Sequence, residues 1–197
     1  MDDCFPRNCD TWCYLGNFGL ASSEIDVNQA DTDDGCTPLW MACQEGHAPV
    51  VKLLLASSGI DVNQKRKPYG DTPLWMACQQ AHTPVIELLL ASSDIDVNQA
   101  MADDGCTPLY MACKKGRVSV VELLLASSEI DVNQADTDGS TPFSKACQNG
   151  HTPVVKRLLT VSGIDINKGA PGWSPLHLAQ HFKFTEIVEL LVDAGAQ

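Results

Sequence analysis

Short apolar stripes at helical spacing alternate with polar connectors along most of the chain. Leu39, Ala42 and Cys43 stand at i, i+3 and i+4, which places them on one side of a short helix. A denser run follows, Val50, Val51, Leu53, Leu54 and Leu55, and predicts a second, more apolar helix. The residues between these runs supply starts and stops. The Thr37 hydroxyl can accept from an orphan N–H of the first turn, and Pro38 at the first helical position loses no hydrogen bond. Gly46 ends the first helix, and His47-Ala48-Pro49 restarts the chain. Ala56 to Gly59 release the second helix. Ile60-Asp61-Val62-Asn63 reads as short and extended, and Gln64 to Gly70 as a turn. The predicted unit is helix, turn, helix, then a hairpin-like loop.

This unit recurs. Ile25-Asp26-Val27-Asn28 returns at Ile60, Ile95 and Ile130, and as Ile164-Asp165-Ile166-Asn167. Thr37-Pro38-Leu39 returns at Thr72, at Thr107, as Thr141-Pro142-Phe143 and as Ser174-Pro175-Leu176. Two markers keeping nearly one period define a supersecondary unit repeated along the chain.

The ordered motifs Gly35 to Ala42, Gly46-His47, Val50 to Leu55 and Asp61 to Asn63 resemble the ankyrin repeat. The resemblance covers about residues 25–197. It implies an all-α ankyrin-repeat solenoid of five full repeats, at residues 35–64, 70–99, 105–134, 139–168 and 172–197. A degraded N-terminal cap over 1–30 precedes the array of 31–197. In that cap Gly16 and Gly19 stand where apolar residues should pack, so the N-terminal end is expected to be weakest. The chain departs from the family where a histidine should follow Thr-Pro-Leu: Trp40, Trp75, Tyr110 and Ser144 stand there, and only His177 conforms. The resemblance also implies that each Asp-Val-Asn asparagine ties its turn to neighbouring backbone. The segments ending at Asn28, Asn63, Asn98 and Asn133 are similar to ankyrin sites modified by asparaginyl hydroxylases.

Charge narrows the choice of partner. Thirteen Lys and Arg oppose 25 Asp and Glu, a net charge of −12. Such a surface repels phosphate and anionic lipid and steers a basic protein segment toward itself, so neither nucleic acid nor membrane is expected. Met1-Asp2-Asp3-Cys4-Phe5-Pro6 has no basic start or apolar stretch, and no run approaches the roughly 18 apolar residues of a membrane span. The nine cysteines are odd in number with no CxxC pair, which suits free thiols in a reducing compartment. The expectation is an intracellular, cytoplasmic monomer.

Candidate chemistry is sparse. Gly16-Asn17-Phe18-Gly19 lacks the spacing of a phosphate loop. His177 and His181, at i and i+4, could share a metal, but no third ligand stands at ligand spacing; Cys4, Cys9 and Cys13 form a loose cluster in the terminus. No enzyme, cofactor or metal is expected. Cys43, Cys78, Cys113 and Cys147 occupy a small-residue slot on the buried stripe. Cys36 and Cys106 follow the loop glycine at a position the resemblance marks as exposed, and are expected to be reactive.

Function is expected on the variable face: a protein-interaction scaffold that binds through the concave face and the hairpin loops. The resemblance puts the first helices on that face, where Trp40 and Gln44, Trp75 and Gln79, and Tyr110 and Lys114 form i, i+4 pairs. The aromatics have two readings, packing between repeats or a partly exposed column of binding anchors. The candidate site takes the second and adds the hairpin tips: acidic Asp31, Asp33, Asp34, Asp103 and Asp104, and basic Lys65, Arg66 and Lys67. A partner with a basic segment would suit the acidic tips. The rival reading is a targeting or adaptor fragment of a longer multidomain protein, its catalytic or membrane domain lying elsewhere.

Overall fold

In a computed structural model the described residues are 26–197. The N-terminal cap, with Gly16, Gly19, Cys4, Cys9 and Cys13, lies almost wholly outside them. Among the described residues ten helices form five pairs: α1 (Pro38–Gln44) with α2 (Ala48–Leu55), α3 (Pro73–Gln80) with α4 (Thr83–Leu90), α5 (Pro108–Lys114) with α6 (Val118–Leu125), α7 (Pro142–Gln148) with α8 (Thr152–Leu159), and α9 (Pro175–His181) with α10 (Thr185–Asp193). First helices pack on first helices and second on second, so each unit meets only its neighbours.

Every first helix starts alike. The hydroxyls of Thr37, Thr72, Thr107, Thr141 and Ser174 accept from the backbone N–H three residues on, at 3.1–3.3 Å. Each such cap stabilises by about 1 kcal/mol. At α7 the cap is reciprocal, since Ser144 Oγ accepts from Thr141 N–H at 2.9 Å. The first helix ends as firmly: His47, His82, Arg117, His151 and Phe184 each donate their N–H to the carbonyl five residues back, the bond that closes a helix through a left-handed residue. Gly46 holds that left-handed slot at φ +73, and a Cβ there would stand 2.7 Å from the ring of His82 in the next unit. His82 in turn reaches the Gln44 carbonyl with Nε2 at 3.0 Å.

The larger of two buried apolar clusters runs through all five units. Leu39, Ala42, Cys43, Val51 and Leu54 of the first unit, their counterparts in units two to four, and Ala179, Ile187 and Leu191 of the last bury the stripes foreseen from helical spacing. Opposite the helices runs a ladder of asparagines. Asn63 donates from Nδ2 to the Asp94 carbonyl at 2.6 Å and accepts from Asp96 N–H at 2.9 Å. Asn28, Asn98 and Asn133 repeat both bonds one unit on. Each asparagine thus stitches its turn to the next. The segment expected to be extended is turned instead: Asp61 accepts from Asn63 N–H at 3.0 Å, an Asx turn that bends the chain at Val62.

Candidate functional site

The aromatic column of Trp40, Trp75 and Tyr110 is not exposed. The three retain 2%, 6% and 3% of their surface, so the open-column expectation is corrected in favour of packing between units. The cause is the hairpin of the following unit, which closes over each ring. Trp40 donates from Nε1 to Asp71 Oδ2 at 2.6 Å, and the Arg66 guanidinium lies 4.3 Å from its ring and 4.5 Å from that of Tyr69. Arg66 Nε completes the group by donating to Asp71 Oδ1 at 3.1 Å. Tyr110 donates to Asp136 Oδ2 at 2.7 Å; burial and that carboxylate push its phenol well above its ordinary pKa. Trp75 packs among Cys36, Trp40, Met76 and Met111 in a second apolar cluster.

The expected pair of reactive thiols is also corrected. Cys36 and Cys106 are both 2% exposed, because the residue after the loop glycine turns inward beneath the aromatic slot. Burial, aided by Asp31, raises the Cys36 thiol from 9.0 to about 11; burial and Asp104 raise Cys106 to about 12. Burial lifts Cys147 to about 12 and Cys43, Cys78 and Cys113 higher still. All six described cysteines are buried and unpaired.

The hairpin tips divide into groups that hold the turn and groups that face water. Asp31 accepts from the N–H of Asp34 and of Gly35, at 2.8 and 2.9 Å, and Asp104 from that of Cys106 at 2.9 Å. Asp33 and Asp103 are exposed and Asp34 is half-buried. In the basic tip, Arg66 is drawn inward and its guanidinium is engaged by Trp40, Tyr69 and Asp71. Lys65 reaches the Ala100 carbonyl at 2.8 Å, and Lys67 is exposed. On the first helices Lys114 is exposed, while Gln44 and Gln79 are half-buried.

Aromatic surface emerges instead at the other end. Trp173 and Phe182 are 44% and 45% exposed, and His181 meets both edge-on, its centroid 5.3 and 4.9 Å from theirs. With Asp138, Ser140, Lys145, Gln148 and Leu178 they line a hollow of about 330 Å³ between units four and five. A sign of this was visible in the repeats: Trp173 fills a slot held elsewhere by Cys36, Asp71, Cys106 and Ser140, and Phe182 one held by Glu45, Gln80, Lys115 and Asn149. His177 turns Nδ1 toward Ser174 Oγ at 3.3 Å, away from shared ligation with His181, and among the described residues no three His, Cys, Asp or Glu are grouped to hold a metal. A broader hollow of about 580 Å³ lies by the second helices, between Glu87, Leu90, Ile95, Leu123 and Glu129.

Stacked helix pairs with polar hairpins define a repeat solenoid whose variable side chains lie on one extended surface. Family models agree: ankyrin repeats in three copies match residues 64–136 and 128–197, and a single ankyrin repeat matches 34–67. The chain belongs to the ankyrin repeat family. No curated protein matches it. Ankyrin repeats are in general protein–protein interaction modules and typically non-catalytic. Among the described residues no helix is long and apolar enough to cross a membrane.

Proposed function

We propose that the chain is a scaffold that holds a partner protein against the face made by its first helices and hairpins. The observation that carries this reading is the exposed aromatic surface of Trp173 and Phe182 beside α9. Large aromatics with few rotors make efficient anchors in interfaces. Gln44, Gln79 and Lys114 extend the surface along the earlier units, and Asp33, Asp34, Asp103, Asp104, Lys65 and Lys67 rim it. Trp40, Trp75, Tyr110 and Arg66 act from beneath, by fixing where each hairpin stands. The net charge of −12 favours a partner that presents a basic segment.

Affinity capture with the intact chain and with a face-altered form (Lys114→Glu together with Phe182→Ser) tests the reading. A protein retained by the first and lost by the second supports it. Equal retention by both moves recognition off this face.

A further inference from the structure

We propose that the hollow between units four and five seats an arginine side chain of the partner, in the place that Arg66 occupies between units one and two. This rests on the interaction reading above. The two junctions correspond unit by unit, but Trp173 stands in the slot of Asp71 and the hairpin from Asn167 to Ser174 is two residues shorter than that from Asn63 to Thr72. Where the first junction has Trp40 and Arg66, the last has Ser144 and Ala170. Both large side chains are absent, Ser144 is turned back into its own cap, and the space between the two hairpins is open.

The walls of that space suit a guanidinium. In the closed junction Arg66 lies between two aromatic rings with its Nε on an aspartate, so this scaffold already holds an arginine with two ring faces and one carboxylate. The open junction presents the same kinds of group. Trp173 and Phe182 offer exposed ring surface, with His181 edge-on to both, and Asp138 supplies the carboxylate at the rim. A planar guanidinium can stack on an indole and still pair with a carboxylate in its own plane, which a lysine ammonium does less well. The apolar wall of Leu178 suits the methylene stem. Lys145, a cation in the lining, is paired within it: Nζ donates to Gln148 Oε1 at 2.8 Å and stands 5.9 Å from the Tyr110 ring. The acidic chain as a whole draws a basic segment toward the site.

The test is an NMR titration of the full chain with capped Gly-Arg-Gly, read at the tryptophan indole N–H resonances. The resonance of Trp173 should shift saturably while that of buried Trp40 stays in place. Replacing arginine by citrulline, which keeps the shape and removes the charge, should weaken binding at least tenfold. Trp173→Ala and Asp138→Asn should each do the same without altering the thermal midpoint. Ala170→Arg, which fills the hollow from within, should abolish the shift. Equal binding of the citrulline peptide, tighter binding of a leucine or glutamate peptide, or an unchanged response in Trp173→Ala would overturn the proposal. A captured partner that binds Trp173→Ala as tightly as the intact chain overturns the arginine seat and leaves the scaffold standing. Absence of any partner for the intact chain counts against the scaffold, while the peptide titration still decides the pocket.

Discussion

The junction between units one and two is closed from within, and that between units four and five is open. The first holds a tryptophan, an arginine and an aspartate that satisfy one another: Asp71, 1% exposed, takes both the Trp40 indole N–H and Arg66 Nε. The second has Ser144 and Ala170 in the corresponding slots and turns Trp173 and Phe182 outward. One repeat geometry therefore yields a closed packing element at one end and exposed aromatic surface at the other, by exchanging side chains in equivalent slots. An aromatic residue on this scaffold stays exposed only where no hairpin side chain comes down on it.

The largest expected difference is alkaline. The six buried thiols lie in units one to four, and the fifth has Gln180 in the corresponding slot. Their folded pKa values are raised above 9.0, so the folded state keeps the thiols protonated. That stability is fully present below pH 9 and is lost as pH rises toward the folded values, at up to about 1.4 kcal/mol per unit for each thiol. Tyr110 adds loss of the same sign above its ordinary pKa of 10.0. Summed over the thiols, this approaches the roughly 5–15 kcal/mol that holds a domain together. Urea titrations in reducing buffer between pH 7 and 10.5 should show steep loss above pH 9. A flat profile would mean the thiols are solvated.

Two substitutions separate the junctions directly. Trp40→Ala should cost about 4 kcal/mol by emptying a filled space, whereas Trp173→Ala should change stability by less than about 0.5 kcal/mol. Equal losses in denaturant midpoints would erase the distinction between closed and open. Asp71→Ala comes next, at about 3 kcal/mol, because it leaves Arg66 and the Trp40 indole N–H unpaired under the hairpin. A neutral result in the same urea titration would show that the ion pair does not hold the closed junction.

The smallest expected effect concerns the helix ends. Three left-handed slots are Gly46, Gly116 and Gly150, each with a ring of the next unit where a Cβ would stand, 2.7, 2.5 and 2.6 Å away. The other two are Ala81 at φ 64 and Lys183 at φ 62, and the next-unit residue that corresponds to those rings at Ala81 is Arg117. Ala81→Gly should therefore stabilise by about 0.5 kcal/mol, relief of backbone strain slightly exceeding the added freedom of the unfolded chain. A lower thermal midpoint would contradict this.

The architecture was legible because its signals are local and recur. Thr37, Pro38 and Gly46 mark helix ends by their own chemistry, and five repetitions of that spacing define a single unit. The asparagine ladder was also legible, from the family likeness. What the sequence hid depends on the neighbouring unit. Nothing near Trp40 in the chain says that Arg66 and Asp71 come down upon it, and the same blindness made Cys36 and Cys106 look exposed. The likeness placed both sets by analogy with positions the family pattern marks as open. Trp173 and Phe182 were visible as odd residues in otherwise small or polar slots.

Hydrogen–deuterium exchange of the full chain, alone and with a captured partner, tests the scaffold most directly. Protection should appear on α7, α9 and the hairpins at 136–140 and 170–174, and leave α4 and α6 unchanged. Protection confined to α4, α6 and the hollow between Glu87 and Glu129 would contradict it, because binding would then lie on the side of the second helices.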